Sequence, residues 1–253
     1  MVVKIIKRRV HYIPLIRSPS VRSLSRRSSA YVQPCANESY EIDMTAPLLP
    51  EEFSVKISVI TPTVGRDTLR RTGTSVVSQL REQDEWIVVG DGSQPAAEQI
   101  CSTFNDKRIT CRQSAGTRVW GNKERDIGIG LARGQRLVFV DDDDELSAVA
   151  LDTVRRAHVA YPASPLVFRM NVIDHGKVYW DHPEISPSNV GTPMFSPLHA
   201  GNLPKWSDGS GHGYASDYIF IRECCARQGS PVFLRNVICI VHHALALPLM
   251  WRR

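Results

Sequence analysis

Four consecutive aspartates, Asp141 to Asp144, directly follow the apolar run 137–140. A short β-branched and aromatic run bounded by Gly134 predicts a buried strand, so the four carboxylates should emerge at its carboxyl end. Crowded carboxylates repel one another unless a positive charge is bound. Their hard oxygen atoms suit Mg²⁺ or Mn²⁺, which usually arrives with the phosphates of a substrate. The junction therefore predicts a metal site for a phosphorylated compound at the mouth of a sheet.

A helix cap is the alternative interpretation of the same acids. Asp and Glu favour a helix N-terminus, and residues 147–151 are typical of a helix start. A cap needs one or two acids, whereas this segment has five when Glu145 is included. The metal site is therefore the favoured interpretation.

Strands and helices alternate through the middle of the chain. Apolar runs predict strands at 55–60, 86–89, 108–111 and 137–140, and helical patterns follow from Asp67, over 95–104, from Asn122 to Gly134 and over 147–158. This order predicts an α/β protein with a mostly parallel sheet flanked by helices. Ligands of such sheets lie beyond the carboxyl ends of the strands. Segments 61–66, 90–93 and 141–144 are then expected to meet in one crevice.

The two ends of the chain differ from this pattern. Residues 1–37 hold eight Lys or Arg and no acid, and subtracting these charges from the total of +5 leaves −3 for the rest. We expect residues 1–52 to be a disordered basic tail and linker, with Met44 as an alternative start; a transit peptide and a nucleic-acid-binding arm are competing interpretations. Beyond residue 160, a hairpin is predicted from 166–172 and 177–180, followed by a Gly-, Pro- and Ser-rich stretch over 187–213.

Cysteine usage and hydropathy bear on location. The six cysteines form no CxxC pair, which favours reduced thiols in the cytoplasm. No segment approaches the roughly 20 apolar residues of a membrane span. The apolar segment 244–253 ends in two arginines and suits either packing against the domain or contact with a membrane surface.

Four motifs in this order carry a family resemblance. They are Val-Ile-Thr-Pro-Thr-Val-Gly-Arg at 59–66, Ile-Val-Val-Gly-Asp-Gly-Ser at 87–93, Arg-Asp-Ile-Gly-Ile with Ala-Arg-Gly over 125–134, and Phe-Val-Asp-Asp-Asp-Asp at 139–144. Together they resemble the GT-A glycosyltransferases, particularly the large inverting family two. The resemblance implies a Rossmann-like single domain over 53–253. Its nucleotide-sugar-binding half would be 53–160 and its smaller, mixed acceptor-binding half 161–253.

The resemblance also implies roles for residues on the donor side. Asp91 would hydrogen-bond the nucleotide base; an ordinary turn is the alternative explanation for the Asp-Gly-Ser sequence. Arg125 would lie beside the base or phosphates, with a solvated charge on a helix as its alternative. In the run of four aspartates, which can be aligned in more than one register, Asp143 would bind the metal directly and Asp141 would lie nearer the ribose or a metal-bound water. The other nucleotide-sugar-binding residues would be Thr61, Thr63, Arg66 and Asp142. The family usually has Asn where Asp126 stands, and an aromatic residue and Asn where Val64 and Gly65 stand.

On the acceptor side, the resemblance implies a carboxylate base at the start of a late helix. Asp217 fits this place, with a plain helix cap as the alternative and Asp208 in reserve. His242 would reach the metal or the phosphates. His242 and His243 point to opposite faces of a strand, so at most one of them can take this role. A purely structural histidine is the alternative for each. Met194 and Trp206 would border the acceptor, although a place in the core also explains Trp206.

The resemblance implies a metal-assisted, inverting glycosyltransferase that moves a sugar from a nucleotide-diphosphate sugar to a hydroxyl. The expected cofactor is Mn²⁺ or Mg²⁺, and the acceptor is a saccharide, lipid or small molecule. A nucleotidyltransferase is the competing enzyme class, but segment 61–66 lacks the expected Lys and Gly-rich loop. Two non-catalytic hypotheses also stand: a protein that binds nucleotide sugar without reacting, and a nucleic-acid-binding protein acting through the tail. We expect no specific nucleic-acid partner, because residues 38–253 lack an interleaved basic and aromatic surface.

Overall fold

A four-stranded parallel sheet carries the predicted crevice. The computed structural model describes residues 5–9 and 38–242, except 117–118, 174–176, 180–184, 186–189, 202 and 209–214. The strands are β3 (Ile57–Thr63), β4 (Glu85–Gly90), β5 (Ile109–Gln113) and β6 (Arg136–Phe139), in the spatial order β5-β4-β3-β6. Every residue of β3, β4 and β6 is buried. The parallel α/β sheet predicted from the apolar runs is confirmed, with β3 reaching three residues further than expected.

Helices follow these strands in the predicted order. They are α2 (Leu69–Val77), α3 (Pro95–Thr103), α4 (Asn122–Leu131) and α5 (Ala150–Ala160). Asp67 and Asn122, which are residue types that favour helix caps, do not cap these helices. Thr68 rather than Asp67 precedes α2, and Gly121 rather than Asn122 precedes α4. Gly121 takes a left-handed conformation (φ 70°) that glycine adopts readily.

The acidic run does not cap a helix. Glu145 and Leu146 form a two-residue strand, β7, that pairs antiparallel with the late strand β11 (Val232–Val241). Ser147 donates from its backbone to the carbonyl of Ile238, and α5 begins only at Ala150. The helix-cap interpretation is therefore wrong.

A second, mixed sheet forms the other half of the structure. Its main path is β1 (Ile5–Arg9), β2 (Glu38–Ile42), β11, β8 (Leu166–Val172) and β10 (Phe195–Ser196), and β7 and β9 (Lys177–Tyr179) pair at its side. Strands β8 and β9 form the predicted antiparallel hairpin, whose turn lies outside the described residues. Strand β11 runs parallel to both β2 and β8. The predicted mixed character of the second half is confirmed.

The predicted boundary between tail and domain is wrong for residues 38–52. Tyr40 and Ile42 in β2 are each only 2% exposed, and the side-chain amide of Asn236 hydrogen-bonds both backbone groups of Ile42. Helix α1 (Pro50–Phe53) follows, with Glu52 fully buried and accepting from the backbone of Leu49. A chain starting at Met44 would lack β2. Residues 10–37 lie outside the described part of the chain.

Arg136, at the start of β6, joins the two sheets. It is fully buried, and its guanidinium donates to the carbonyls of Tyr161, Ser164 and Ser196 and to Nδ1 of His158. Tyr161 is the C-cap of α5, where the helix dipole favours a cation. Burial lowers the pKa of Arg136 to about 9. These bonds fix α5 against the end of the sheet away from the crevice.

Candidate active site

The acidic turn, Asp141 to Asp144, lies directly after β6 and is closed by a hydrogen bond from the backbone of Asp144 to the carbonyl of Asp141. Its side chains alternate in exposure: Asp141 is 37% and Asp143 15% exposed, whereas Asp142 is 4% exposed and Asp144 is buried. Asp141 and Asp143 are the pair at the surface of the crevice.

Asp142 ties the end of β6 to the end of β3. Its carboxylate accepts hydrogen bonds from the hydroxyl of Thr63 (2.7 Å), the backbone of Val64 (3.1 Å) and the guanidinium of Arg66 (2.6 Å). Thr63 and Asp142, both predicted to contact the nucleotide sugar, thus bond each other and hold the loop that carries Arg66. Thr61 is fully buried and accepts a hydrogen bond from the indole of Trp86, so its predicted place on the pocket wall is wrong.

Two arginines reach the acidic turn from different elements. Arg66 is half-exposed and bridges Asp142 and Asp143, with a nitrogen–oxygen distance of 3.1 Å to the latter. Arg125 in α4 is only 4% exposed, and its Nη2 lies 2.5 Å from Oδ1 of Asp141. The alternative of a solvated helix charge is therefore wrong for Arg125. Burial works against its charge, but Asp141 and Asp217 outweigh burial and raise the pKa of the guanidinium.

Crowding and burial raise the pKa values of two carboxyl groups in the acidic turn. Burial, with the charges of Asp141 and Asp142, raises the pKa of Asp143 to about 6. Burial, with Asp141 and Asp143, raises the pKa of Asp144 to about 8. Such carboxylates gain from a nearby cation, and their oxygen atoms are the ligands that Mg²⁺ and Mn²⁺ prefer. Within the described ranges, no three His, Cys, Asp or Glu side chains form a ready metal cage. The residues therefore fit a cation held by one or two carboxylates together with phosphate oxygens.

His242, the predicted second metal ligand, contacts other residues. Its Nε2 lies 2.6 Å from Oε1 of Glu145, and its backbone donates to Asp144 (3.2 Å). Glu145 also pairs with Arg71 (3.2 Å). His242 thus braces the buried side of the acidic turn, as a structural histidine would, and its role as a metal ligand stays a prediction. His243 lies outside the described residues.

Asp91 lies at the end of β4, as predicted. Its backbone donates to the carbonyl of Thr63 (2.8 Å), which brings the ends of β3 and β4 together. Gly92 and Gly116 are both left-handed, and a Cβ on Gly116 would come within 3.2 Å of Gly92 and 3.7 Å of the Asp91 carboxylate. The β4 and β5 loops thus approach each other closely beside the Asp91 carboxylate, which leaves little room for a side chain on Gly116.

Sequence reasoning missed the residues that hold these two loops together. The hydroxyl of Ser114 accepts from the backbones of Gly92 (3.3 Å) and Gly116 (3.0 Å) and donates to the buried carboxylate of Glu124 (2.6 Å). Serine and glutamate are common at loop ends and helix starts, so neither carried a distinguishing signal.

Trp120 is a second missed residue. It is half-exposed, it adopts a left-handed conformation (φ 54°) that is rare for a bulky side chain, and its carbonyl accepts from Arg125 (2.7 Å). A Cβ on the following Gly121 would lie 2.7 Å from Pro62, so this segment is pressed against the end of β3.

Asp217 lies in the first turn of α6 (Ser216–Gln228) and is half-buried. Its Oδ2 accepts from the backbone of Thr192 (2.9 Å), which joins α6 to the 3₁₀ turn Thr192–Met194. Asp217 is also close enough to Arg125 for their charges to interact. The structure thus brings the start of α6 near the guanidinium that pairs with Asp141. The reserve candidate Asp208 ends the described segment 203–208.

Two predicted acceptor-side residues are in the core. Met194 and Trp206 are both fully buried, and the Trp206 ring stacks on Phe220 with centroids 3.6 Å apart. A buried ring offers no face to a sugar, so the prediction of an aromatic platform is wrong for Trp206. The alternative of a core residue is confirmed.

The glycosyl transferase family 2 model matches residues 58–219. Glycosyltransferase GlyA of Streptococcus pneumoniae is 32% identical over 113 residues, which are 43% of this chain and 16% of that protein. A Campylobacter jejuni GalNAc(5)-diNAcBac-PP-undecaprenol beta-1,3-glucosyltransferase is 30% identical over 113 residues, 42% of this chain and 36% of that one. The chain therefore spans well under half the length of these curated relatives.

Solved structures show the same fold. TarS 1–349 from S. aureus has a TM-score of 0.61 at 20% identity, over 74% of this chain and 60% of that one. The mannosyltransferase PcManGT from Pyrobaculum calidifontis, in complex with GDP-Man and Mn²⁺, has a TM-score of 0.58 at 14% identity, over 82% of this chain and 62% of that one. These likenesses confirm the predicted GT-A fold. Since the family model matches more than half of the chain, the chain belongs to glycosyl transferase family 2.

Proposed function

We propose that this protein transfers a sugar from a nucleotide-diphosphate sugar to an acceptor hydroxyl, with inversion at the anomeric carbon and with the help of a divalent cation. The observation that carries the proposal is the partly exposed pair Asp141 and Asp143 beside Arg125 and Arg66, at the carboxyl end of a parallel sheet. Acids and arginines in one crevice suit a ligand that carries both a metal ion and phosphates.

The donor would lie across the strand ends. The loop after β4, which carries Asp91 and the left-handed Gly92, would contact the nucleotide base. Arg125 and Arg66 would bind the diphosphate, and Arg66, being half-exposed, can turn from Asp143 toward phosphate oxygens. Support for this donor class comes from two similar structures, TarS in complex with UDP-GlcNAc and PcManGT with GDP-Man.

Asp143 would hold the cation, with Asp141 beside it. When bound, Mn²⁺ or Mg²⁺ would neutralise the diphosphate and stabilise the charge that develops on it as it leaves. The similar mannosyltransferase structure contains Mn²⁺, which favours that ion. Arg125 would add a fixed positive charge to the same leaving group, and because it is almost completely buried, its charge acts with little screening by water.

Asp217 would act as the general base. Its carboxylate would accept the proton of the acceptor hydroxyl while the oxygen attacks the anomeric carbon from the face opposite the diphosphate. The new glycosidic bond forms as the bond to the diphosphate breaks, and the nucleoside diphosphate leaves. The hydrogen bond from Thr192 fixes one carboxylate oxygen and leaves the other for this proton.

The acceptor class is a hydroxyl on a saccharide, a lipid-linked saccharide or a small molecule. The relative from Campylobacter jejuni is named for an undecaprenol-linked substrate, which supports a lipid-linked acceptor met at a membrane surface. Among the described helices, none is both long enough and apolar enough to cross a bilayer.

The test is donor turnover by the full chain in Mn²⁺, with release of UDP from UDP-GlcNAc or of GDP from GDP-Man as the readout. Asp217→Asn keeps an oxygen for the Thr192 bond but cannot take the proton, so turnover should fall about 100-fold or more while donor binding is retained. Asp67→Asn, at a side chain that is 98% exposed, is the matched control. An Asp217→Asn protein as fast as the unaltered chain would rule out this base, and NMR of the first-formed anomer tests inversion.

A further inference from the structure

Asp126 holds two consecutive backbone groups of the segment 203–208. Its Oδ1 accepts from the N–H of Trp206 (2.6 Å) and its Oδ2 from the N–H of Ser207 (3.0 Å). Each oxygen of the carboxylate has its own donor, an arrangement that an amide, with one oxygen, cannot reproduce. Charged acceptors make stronger bonds than neutral ones, so the segment is held firmly to α4.

The ring of Trp206 lies between the two sides of the proposed site. It stacks on Phe220 at an interplanar angle of 12° and meets the edge of Phe139 with centroids 4.8 Å apart. The guanidinium carbon of Arg125 lies 5.2 Å from the ring centroid, within the range of a cation–π contact. One buried ring therefore contacts the arginine that pairs with Asp141 and the helix that carries Asp217.

Phe220 and Asp217 are one turn apart in α6, so they share a face of the helix. A continuous series of contacts thus runs from Asp141 through Arg125, Trp206 and Phe220 to Asp217. Asp126 is the neighbour of Arg125 in α4 and fixes the backbone of Trp206 in the middle of this series.

We propose that Asp126 is a positioning residue that, by holding Trp206, sets the spacing between Asp141 on the donor side and Asp217 on the acceptor side. The inference rests on the proposed function, since it concerns the base of that reaction. Asp126 needs no contact with donor or acceptor to do this. Its loss would let Trp206 and α6 shift, and misplacement of a catalytic group by about 1 Å lowers a rate by roughly 100-fold.

The binding contacts of the donor do not depend on Asp126, because Arg125, which contacts the ring of Trp206, is also held by Asp141 and by the carbonyl of Trp120. Asp91, Asp143 and Arg66 belong to the β4, β6 and β3 loops and have partners of their own. Loss of Asp126 should therefore lower turnover and leave donor affinity nearly unchanged. A residue needed only for stability would instead lower both together with the folded fraction.

The experiment measures hydrolysis of UDP-GlcNAc and GDP-Man by the full chain in Mn²⁺, where water takes the place of the acceptor hydroxyl. Water attacks the anomeric carbon and gives its proton to Asp217, and the nucleoside diphosphate is released. We expect Asp126→Ala to lower kcat about 10- to 100-fold, with donor Kd near that of the unaltered chain. Its Tm should fall because two backbone N–H groups lose their acceptor, so the rates are compared at a temperature where both proteins are folded. Asp126→Asn keeps one of the two hydrogen bonds, so its kcat should lie between those of the unaltered chain and Asp126→Ala. Asp67→Asn serves as the control.

A double variant separates positioning from independent effects. If Asp126 acts through Asp217, adding Asp126→Ala to Asp217→Asn should cause little further loss of kcat, because residues that act as a unit are not additive. If Asp126→Ala folds poorly, Trp206→Phe is measured in its place. This variant keeps the backbone N–H groups but has a smaller ring, and it should lower kcat in the same way.

Three results would overturn the inference alone: unchanged kcat in Asp126→Ala, a loss of donor affinity that matches the loss of rate, or full additivity in the double variant. If the unaltered chain binds no donor and releases no nucleotide, the proposed function itself fails and the inference fails with it.

Discussion

Nη2 of Arg125 lies 2.5 Å from Oδ1 of Asp141, and the arginine is almost completely buried while the aspartate is more than one-third exposed. The buried partner is thus fixed by the protein, and the exposed one faces the crevice. Arg125 also donates to the carbonyl of Trp120 and lies over the ring of Trp206. One guanidinium therefore organises three segments around the strand end that carries the acidic turn.

This relationship predicts the effect of Arg125→Lys. Lysine keeps the charge but lacks the planar fork that reaches Asp141 and Trp120 together, so the exchange is not conservative here. We expect donor affinity to fall by about tenfold or more, since charge-assisted bonds are among the stronger contacts. Calorimetric titration of UDP-GlcNAc and GDP-Man in Mn²⁺ measures this. Arg70→Lys, at a half-exposed residue whose ion pair spans 4.0 Å, should change nothing, and equal affinities in both variants would contradict the role of Arg125.

Two glycines of one helix region predict opposite stability changes. Gly121 is left-handed, and a Cβ there would lie 2.7 Å from Pro62, so Gly121→Ala should destabilise the fold by about 1–3 kcal/mol. Gly130 lies within α4, and a Cβ there would have no neighbouring atom within 4 Å, so Gly130→Ala should stabilise by about 0.5–1 kcal/mol. Urea unfolding measures both. A neutral or stabilising Gly121→Ala would show that the strand end does not press on this turn.

His158 predicts a pH dependence of stability. It accepts a hydrogen bond from buried Arg136 through Nδ1, and burial, with the charge of Arg136, lowers its pKa to about 4 from 6.5. The folded form thus binds this proton less readily than the unfolded chain, so the contribution of His158 to stability is present above pH 6.5 and is lost as pH falls toward 4. Asp143 and Asp144, whose pKa values are raised, act in the opposite direction over part of this range.

A comparison with His158→Gln isolates the effect of His158. Glutamine offers Arg136 a neutral acceptor that does not titrate. The Tm of the unaltered chain should therefore fall relative to that of His158→Gln as pH drops from about 6.5 to about 4.5, while the contribution of the acidic turn cancels in the difference. Parallel pH profiles for the two proteins would mean that His158 is not held neutral by Arg136.

The parts of the fold that sequence predicts well are those fixed by local patterning. The buried apolar runs identify β3, β4 and β6, and the aspartates after β6 identify the strand end, since strand burial and its termination are both local signals. Strand β2 was missed because Glu-Ser-Tyr-Glu-Ile has mixed polarity, and what makes it a strand is pairing with β11, nearly 200 residues later in the chain.

Side-chain roles were predicted less well where they depend on a partner from another element. The sequence suggests a nucleotide-sugar contact for Thr61, but in the structure this hydroxyl accepts a hydrogen bond from Trp86. The sequence likewise suggests a metal ligand for His242, whose ring lies beside Glu145 in the structure. Trp206 follows a Pro-containing loop and looks exposed, but Phe220 in α6 covers it. Asp126 stands out in the sequence only as an unusual residue, because the backbone groups that it binds lie 80 residues away.

The central claim is that Asp143 and a divalent cation together bind a nucleotide diphosphate. The most direct measurement is calorimetric titration of UDP, GDP, UDP-GlcNAc and GDP-Man into the full chain, in Mn²⁺ and in EDTA, beside Asp143→Ala and the exposed control Asp67→Ala. We predict binding of one nucleotide series that requires Mn²⁺, is abolished in Asp143→Ala and is unchanged in Asp67→Ala. Binding of equal strength in EDTA or by folded Asp143→Ala, or no binding of any of these ligands by the folded chain, would contradict the claim.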